Sequence, residues 1–290
     1  MLHPKGLFLT VAALSVTALV AGAGAPRALA APPASQPTSP AAPLPLEDRA
    51  ATTIDPAAVA ALTRMGETLA ALNSFELTAR TTVEVTLKDE HQVQIGGVVH
   101  YWVKRPDRVR IDSETDTLSR QYFFDGKTFT LVAPNDRYFA QTEGRGTIRD
   151  TLAFAAQALD IEVPLADLFD WGTAEAPLKQ FERGFYVGTA KIDGTTTEHY
   201  ALIGKDFDFE IWIQQGDVPL PLKLSLVDHR AAAGPRFTAT LSWRPDAAIP
   251  DDIFTFVPSK DVARIRFAKP ASTPGSIPPV PPAPASKGAQ

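Results

Sequence analysis

A strict alternation of apolar and polar residues from Phe75 to Leu87 constrains this chain more than any other feature. The odd positions are Phe75, Leu77, Ala79, Thr81, Val83, Val85 and Leu87; the even ones are Glu76, Thr78, Arg80, Thr82, Glu84 and Thr86. Successive side chains of a strand point to opposite faces, so this is a long strand with one dry face and one wet face. Such strands belong to antiparallel sheets, because buried parallel strands are apolar on both faces. Further strands are read at Gln92 to Val103, Arg108 to Asp112, Gln121 to Phe124, Lys127 to Val132 and Ala190 to Ile192. Thr195 to Leu202, Phe207 to Gln214, Leu222 to His229 and Phe237 to Arg244 complete the set. The count is about nine to eleven strands, nearly all antiparallel neighbours. Asp125-Gly126 and Asp193-Gly194 read as tight primed hairpin turns, and Gly96-Gly97 as a bulge or bend.

Two stretches have helical spacing instead. Asp55 is a good N-cap and Pro56 a good first helical residue. Val59, Leu62, Met65 or Gly66, Leu69 and Leu72 then form one apolar stripe, which Asn73-Ser74 ends. Thr147 to Trp171 carries Ile148, Leu152, Ala155, Leu159, Leu165, Leu168 and Phe169 among its apolar residues, with Pro164 as an interruption. Two short helices inserted between strands, this rich in apolar groups, must cover a hydrophobic face. The fold class is therefore mainly β with helices, of the α+β type.

The ends of the chain follow other rules. Lys5, the apolar run Leu7 to Val20 and the small-x-small sequence Ala28-Leu29-Ala30 read as a secretory signal over residues 1–30, cleaved after Ala30. The run is about 15 residues, short for a bilayer core that needs roughly 20. Residues 31–45 are rich in Pro, Ala, Ser and Thr and read as a linker. Residues 269–290 form a second Pro-rich segment, a spacer or a docking arm for an envelope protein partner. Residues 46–268 remain as one folded domain.

The chemistry is bounded by what the sequence lacks. There is no Cys, which excludes thiol catalysis and thiolate metal sites, and stability must come from packing. A net charge of −5 gives no basic footprint for nucleic acid. His91, His100, His199 and His229 show no zinc spacing, and no G-x-S-x-G elbow, P-loop or dinucleotide fingerprint occurs. No catalytic residue, metal or cofactor is expected. Asp206, Asp208 and Glu210 share one strand face; they read as its wet side, although a cation site or a hydrolase would use such oxygens. The aromatic residues are spread over most strands and the insert. An ordinary core accounts for them; a movable cover over an apolar face would also make a lipid pocket.

Four short motifs in order give the chain a likeness. Leu72-Asn73-Ser74-Phe75 follows the first helix, and Trp102-Val103-Lys104-Arg105-Pro106 ends a Gly-containing strand. Asp125-Gly126-Lys127-Thr128 then precedes Pro134, and Phe254-Thr255-Phe256-Val257-Pro258 closes the domain. This order resembles the periplasmic outer-membrane lipoprotein carriers of the LolA/LolB type, and more closely a family of predicted periplasmic proteins of unknown function that share their fold. The resemblance spans most of Asp55 to Pro258. It implies a curved, incomplete antiparallel β-barrel with helices across its concave face as a lid, and acyl chains held between sheet and lid. It also implies that Arg105 tethers the lid helices. The Gly144 to Ala190 region is longer than such a carrier needs, and the Pro-rich tail is extra.

The expectation is a periplasmic, monomeric, non-catalytic carrier or binding protein for lipid or lipoprotein acyl chains. Arg105 is its lid latch, and Trp102, Phe124, Phe129, Phe154 and Phe169 are its ligand contacts. The rivals are an envelope-stress sensor or scaffold using the Pro-rich arms and, behind it, a hydrolase using the Asp206 to Glu210 face.

Overall fold

The computed structural model describes residues 53–87, 91–230 and 234–267. The expected signal, linker and Pro-rich tail lie outside these residues. Helix α1 (Pro56–Ala71) starts where its cap chemistry directs, with the Asp55 carboxylate accepting the amide of Ala57 at 2.8 Å and Pro56 opening the first turn. Its stripe Ala58, Ala61, Leu62, Met65 and Leu69 is buried.

Five hairpin-connected strands follow β1 (Ser74–Thr86): β2 (Gln92–Lys104), β3 (Arg108–Thr115), β4 (Ser119–Asp125), β5 (Thr128–Ala133) and β6 (Tyr138–Glu143). Helix α2 (Ile148–Leu159) and a 3-10 turn at Ala166–Phe169 come next. The second run is β7 (Phe181–Ile192), β8 (Thr195–Gly204), β9 (Phe207–Gln214), β10 (Pro221–Asp228) and β11 (Arg236–Pro245), before a short β12 (Ala263–Ile265). All twelve belong to one curved, unclosed sheet in the order β12-β6-β5-β4-β3-β2-β1-β11-β10-β9-β8-β7.

The amphipathic strand that opens the domain thus lies in mid-sheet. It pairs antiparallel with β2 on one side and with β11 on the other, so the first and last long strands join the two meanders. The strands beyond the expected set are β6 and the three-residue β12, which pairs parallel to β6.

This topology explains the long mid-chain segment. β6 lies next to one edge of the sheet and β7 is the other edge, ten strand spacings away, or about 48 Å measured along the sheet. A connection between them has to cross one face of nearly the whole sheet. The chain crosses the concave face and buries Ile148, Leu152, Ala155, Leu165, Leu168, Phe169 and Trp171 in the main core with the inner side chains of the strands.

Two turn expectations need correction. β1 and β2 stay in register through Gly96 and Gly97, so there is no bulge. Gly97 is needed for close approach, since a Cβ there would lie 2.8 Å from the Thr81 hydroxyl oxygen. The Asp125-Gly126 turn is not a primed two-residue turn. Only Gly126 has positive φ, the ladder closes at Phe124–Phe129, and the Asp125 carboxylate accepts the amides of Lys127 and Thr128. At Asp193-Gly194 both φ values are positive, as a type I′ turn requires.

The closing motif packs against the sheet through two aromatic rings. Phe254 is fully buried, while Phe256 packs on the rings of Phe123 and Phe139 in a second, smaller cluster on the outer face.

Candidate functional site

The inner parity of the central strands builds the floor of a cleft. Leu77 pairs with Tyr101 across β1 and β2 and with Trp243 across β1 and β11; Phe75 is its inner neighbour. The insert supplies the roof through Leu165, Leu168 and Phe169, and α1 adds Leu69. Arg105, just past β2, carries the single charge in the lining. The space between floor and roof is about 270 Å³ when what opens to solvent is counted, and only about 10 Å³ of it can take the centre of a water molecule. Phe169 is the centre of the roof. Its ring lies 6.4 Å from Phe75, 6.1 Å from Tyr101 and 5.2 Å from the Arg105 guanidinium carbon.

Arg105-Pro106 is the corner where the covering pieces meet. The Arg105 backbone amide donates to Asn73 O, and its Nε and Nη2 donate to Leu72 O at 3.0 Å and Leu69 O at 3.3 Å. These carbonyls end α1 and have no helical partner of their own. The carbonyl of Pro106 accepts the first amide of α2, from Ile148, at 2.9 Å. The carbonyls held by the Arg105 side chain therefore belong to α1, not to the Thr147 to Trp171 insert. Its side chain reaches the insert through the ring of Phe169. Burial pulls the guanidinium below its ordinary pKa.

Two further devices hold the insert down. The Tyr101 hydroxyl donates to the Pro164 carbonyl. Burial, then Tyr122 and Asp167, push that phenol well above its ordinary pKa, so it stays a donor. Next to it, Leu165 sits at φ 65 with its side chain buried. A branched residue in the left-handed region costs about 1–2 kcal/mol, so the roof contains a strained residue that its contacts must offset. At the far end the insert meets α1 backbone to backbone. A Cβ on Gly66 would lie 2.6 Å from the Gly172 nitrogen, and Gly172 itself has φ 79.

Of the six candidate residues, Arg105 and Phe169 come together in the cleft. Phe124 and Phe129 face each other across β4 and β5, fully buried in the core and outside the cleft lining. Trp102 is on the opposite face, beside His100 and under Arg110. Phe154 lies off the buried stripe of α2, with the Arg145 guanidinium 3.6 Å from its ring centre. Sequence reasoning misses Tyr101 and the cleft roles of Phe75 and Trp243. Parity is the available signal: Phe75 and Leu77 share a face, as do Tyr101, Val103 and Arg105, and Trp102 falls outside the second set.

The acidic strand face is also more structured than its sequence suggests. Asp208 pairs with His229 at 2.8 Å, while Glu210 pairs with His199 at 3.1 Å and Arg236 at 2.8 Å. The His199 hydrogen bond, together with Arg236, holds the Glu210 carboxyl below its ordinary pKa despite partial burial. His199 stacks on Trp212 at 3.9 Å. Among the described residues, no group of three or more His, Cys, Asp or Glu is arranged to hold a metal ion.

Comparison with known proteins gives a family match and distant fold likenesses. The model of a family described as "Predicted periplasmic protein (DUF2092)" matches residues 58–268. No curated protein matches the chain. Among solved structures, an uncharacterized conserved protein from Thermus thermophilus is 10% identical; the match covers 72% of this chain and 99% of that one, with a TM-score of 0.43. LprF from Mycobacterium bovis is 14% identical over 68% of this chain and 98% of its own, with a TM-score of 0.42. The LolA superfamily protein NE2245 from Nitrosomonas europaea is 13% identical over 68% and 97%, with a TM-score of 0.32.

Proposed function

Because the chain belongs to the DUF2092 family of predicted periplasmic proteins, we propose that it works in the periplasm as a non-catalytic binding protein for hydrophobic ligands. The ligand is an acyl chain, of a lipid or a lipoprotein, held between the sheet and the insert. The observation that carries this reading is the cleft itself: an apolar lining with one charge, roofed by a segment that the topology lays across the sheet. Each methylene moved from water into such a lining gains about 0.8 kcal/mol, and no bond need be made or broken.

As it stands the cleft has room for about one water molecule, about 10 Å³ against the roughly 300–1,000 Å³ of ordinary ligand pockets, so binding requires the roof to lift. The roof is suited to lifting. Over the cleft it is held by the burial of Leu165, Leu168 and Phe169 and by the hydrogen bonds at Arg105-Pro106 and Tyr101, and the strain at Leu165 opposes them. In this reading export removes residues 1–30, residues 31–45 are a linker, and the Pro-rich tail from residue 269 is a spacer or an arm for an envelope partner.

Native mass spectrometry with lipid extraction, on protein recovered from a periplasm, tests the proposal. The expected result is a chain beginning at Ala31 that carries lipid. A retained Met1 would overturn the export reading. Lipid-free protein that also fails to bind a hydrophobic dye would overturn the binding reading.

A further inference from the structure

We propose that Arg105 is an anion site within the cleft, and that the ligand is an amphiphile with an oxyanion head, a carboxylate or a phosphate. The proposal rests on the acyl-chain reading of the cleft and adds the chemistry of the head.

A guanidinium has five N–H donors in one plane. Nε and Nη2 of Arg105 lie along one edge, and that edge is spent on Leu72 O and Leu69 O, the second bond being long at 3.3 Å. The edge formed by Nη1 and the second Nη2 hydrogen is the fork that fits a carboxylate or phosphate in a bidentate pair. The neighbouring cations have acids: Lys104 has Asp251 at 2.5 Å and Arg108 has Asp107 at 4.0 Å. Among the described residues no carboxylate pairs with Arg105. Its compensation is the end of α1, a partial charge of about one half, and the face of Phe169. A half-buried cation answered by carbonyls and a ring is under-compensated, and a full negative charge brought into the same apolar surroundings interacts more strongly than at a surface. Phe169, in the roof, lies 5.2 Å from the guanidinium carbon, so an acyl chain seated under the roof has its head within reach of the fork.

The test uses the full mature chain and displacement of a hydrophobic fluorescent probe by dodecanoate, dodecyl phosphate and dodecanol. Wild type is expected to bind at least one of the two anions about tenfold more tightly than the alcohol, the worth of one charge-assisted pair. Arg105→Gln should bring the two anions and dodecanol to equal affinity, even where a looser roof shifts all three together; Arg110→Gln, on the outer face, should keep the preference. Which anion gains more separates a fatty-acid head from a phospholipid head. Equal binding of all three by wild type, or a preference that survives Arg105→Gln, overturns the anion site and leaves the acyl reading standing. If none of the three displaces the probe, the acyl reading itself fails. Should Arg105→Gln not fold, methyl dodecanoate replaces it as the decisive probe on wild type. A loss of about tenfold against dodecanoate supports the site, and equal binding overturns it.

Discussion

Arg105 and Arg110 are close in sequence and each lies against aromatic rings, yet they live on opposite sides of the sheet. Arg110 is on the outer face, 5.3 Å from the Trp102 ring and 5.1 Å from Phe123, with a bidentate pair to Asp112 at 2.7 and 3.0 Å. It is a partly buried network in which the cation is answered by a carboxylate. Arg105 has the ring of Phe169 and the end of a helix, but no carboxylate among the described residues, and it lines an apolar cleft. The same two residue types make an answered ion pair on one side and a cation without a carboxylate beneath the insert on the other. In the proposed reading, the side of the sheet, not the residue pairing, decides which arginine meets the ligand.

The comparison can be broken most forcefully in the main core, on the inner face beyond the cleft lining. Phe124→Ala should cost about 3–5 kcal/mol in denaturant unfolding, because a fully buried ring leaves a cavity. Ligand binding by the fraction that stays folded should be unchanged. Altered binding without a stability loss would mean that the ligand reaches deeper than the cleft described.

The next test sets the arginines against each other. Arg105→Leu should cost about 1.5–3 kcal/mol. The loss should appear mainly as faster amide exchange at the end of α1 and over Pro164 to Trp171, by tenfold or more where it is felt locally. Arg110→Leu breaks a pair that is itself only about a quarter exposed, so its cost should be similar, but it should leave exchange in that segment alone. Equal effects on exchange there would erase the distinction between the faces.

Tyr101→Phe sharpens the picture at smaller amplitude. It removes the donor to the Pro164 carbonyl and keeps the ring, so about 0.5–1.5 kcal/mol should be lost. Hydrophobic-probe binding should rise or speed up as the strained Leu165 is released.

The smallest effect expected is one of pH. Asp170, beside Trp171 in the insert, has its carboxyl pushed up to about 6, chiefly by burial, then by Asp167, Glu175 and Asp150, with Arg149 opposing. Its folded pKa lies above the unfolded value of 3.8, so the closed insert holds a proton that the open chain would release. That stabilisation is fully present below about pH 4 and is lost as pH rises through about 6. Trp171 fluorescence should titrate with a midpoint near 6 and stop doing so in Asp170→Asn. A flat wild-type curve would remove Asp170 from the control of the roof.

Parity carried most of what was legible. The alternation of β1, the stripe of α1 and the apolar insert specified an antiparallel sheet with helices over one face, because strand and helix periods map directly onto which side chains must be dry; its curvature was implied by the family resemblance. Parity also held the means to reject Trp102, and the stripe Ile148, Leu152 and Ala155 held the means to reject Phe154. β6 and β12 escaped because six and three residues give too few repeats to establish a period.

The sequence by itself therefore determined most of the elements, the wet and dry faces of the long ones, the helix start at Asp55 and the type I′ turn at Asp193-Gly194, since each depends on residues within a turn or two of one another. Only the tertiary structure decided that β1 joins the two meanders, that the insert must cross the sheet, and that Arg105 meets the end of α1 rather than the insert's own carbonyls. It also decided that Tyr101 reaches Pro164 and that Gly66 lies against Gly172. These are contacts between residues far apart in the chain, set by which strands become neighbours, and no local pattern encodes that choice.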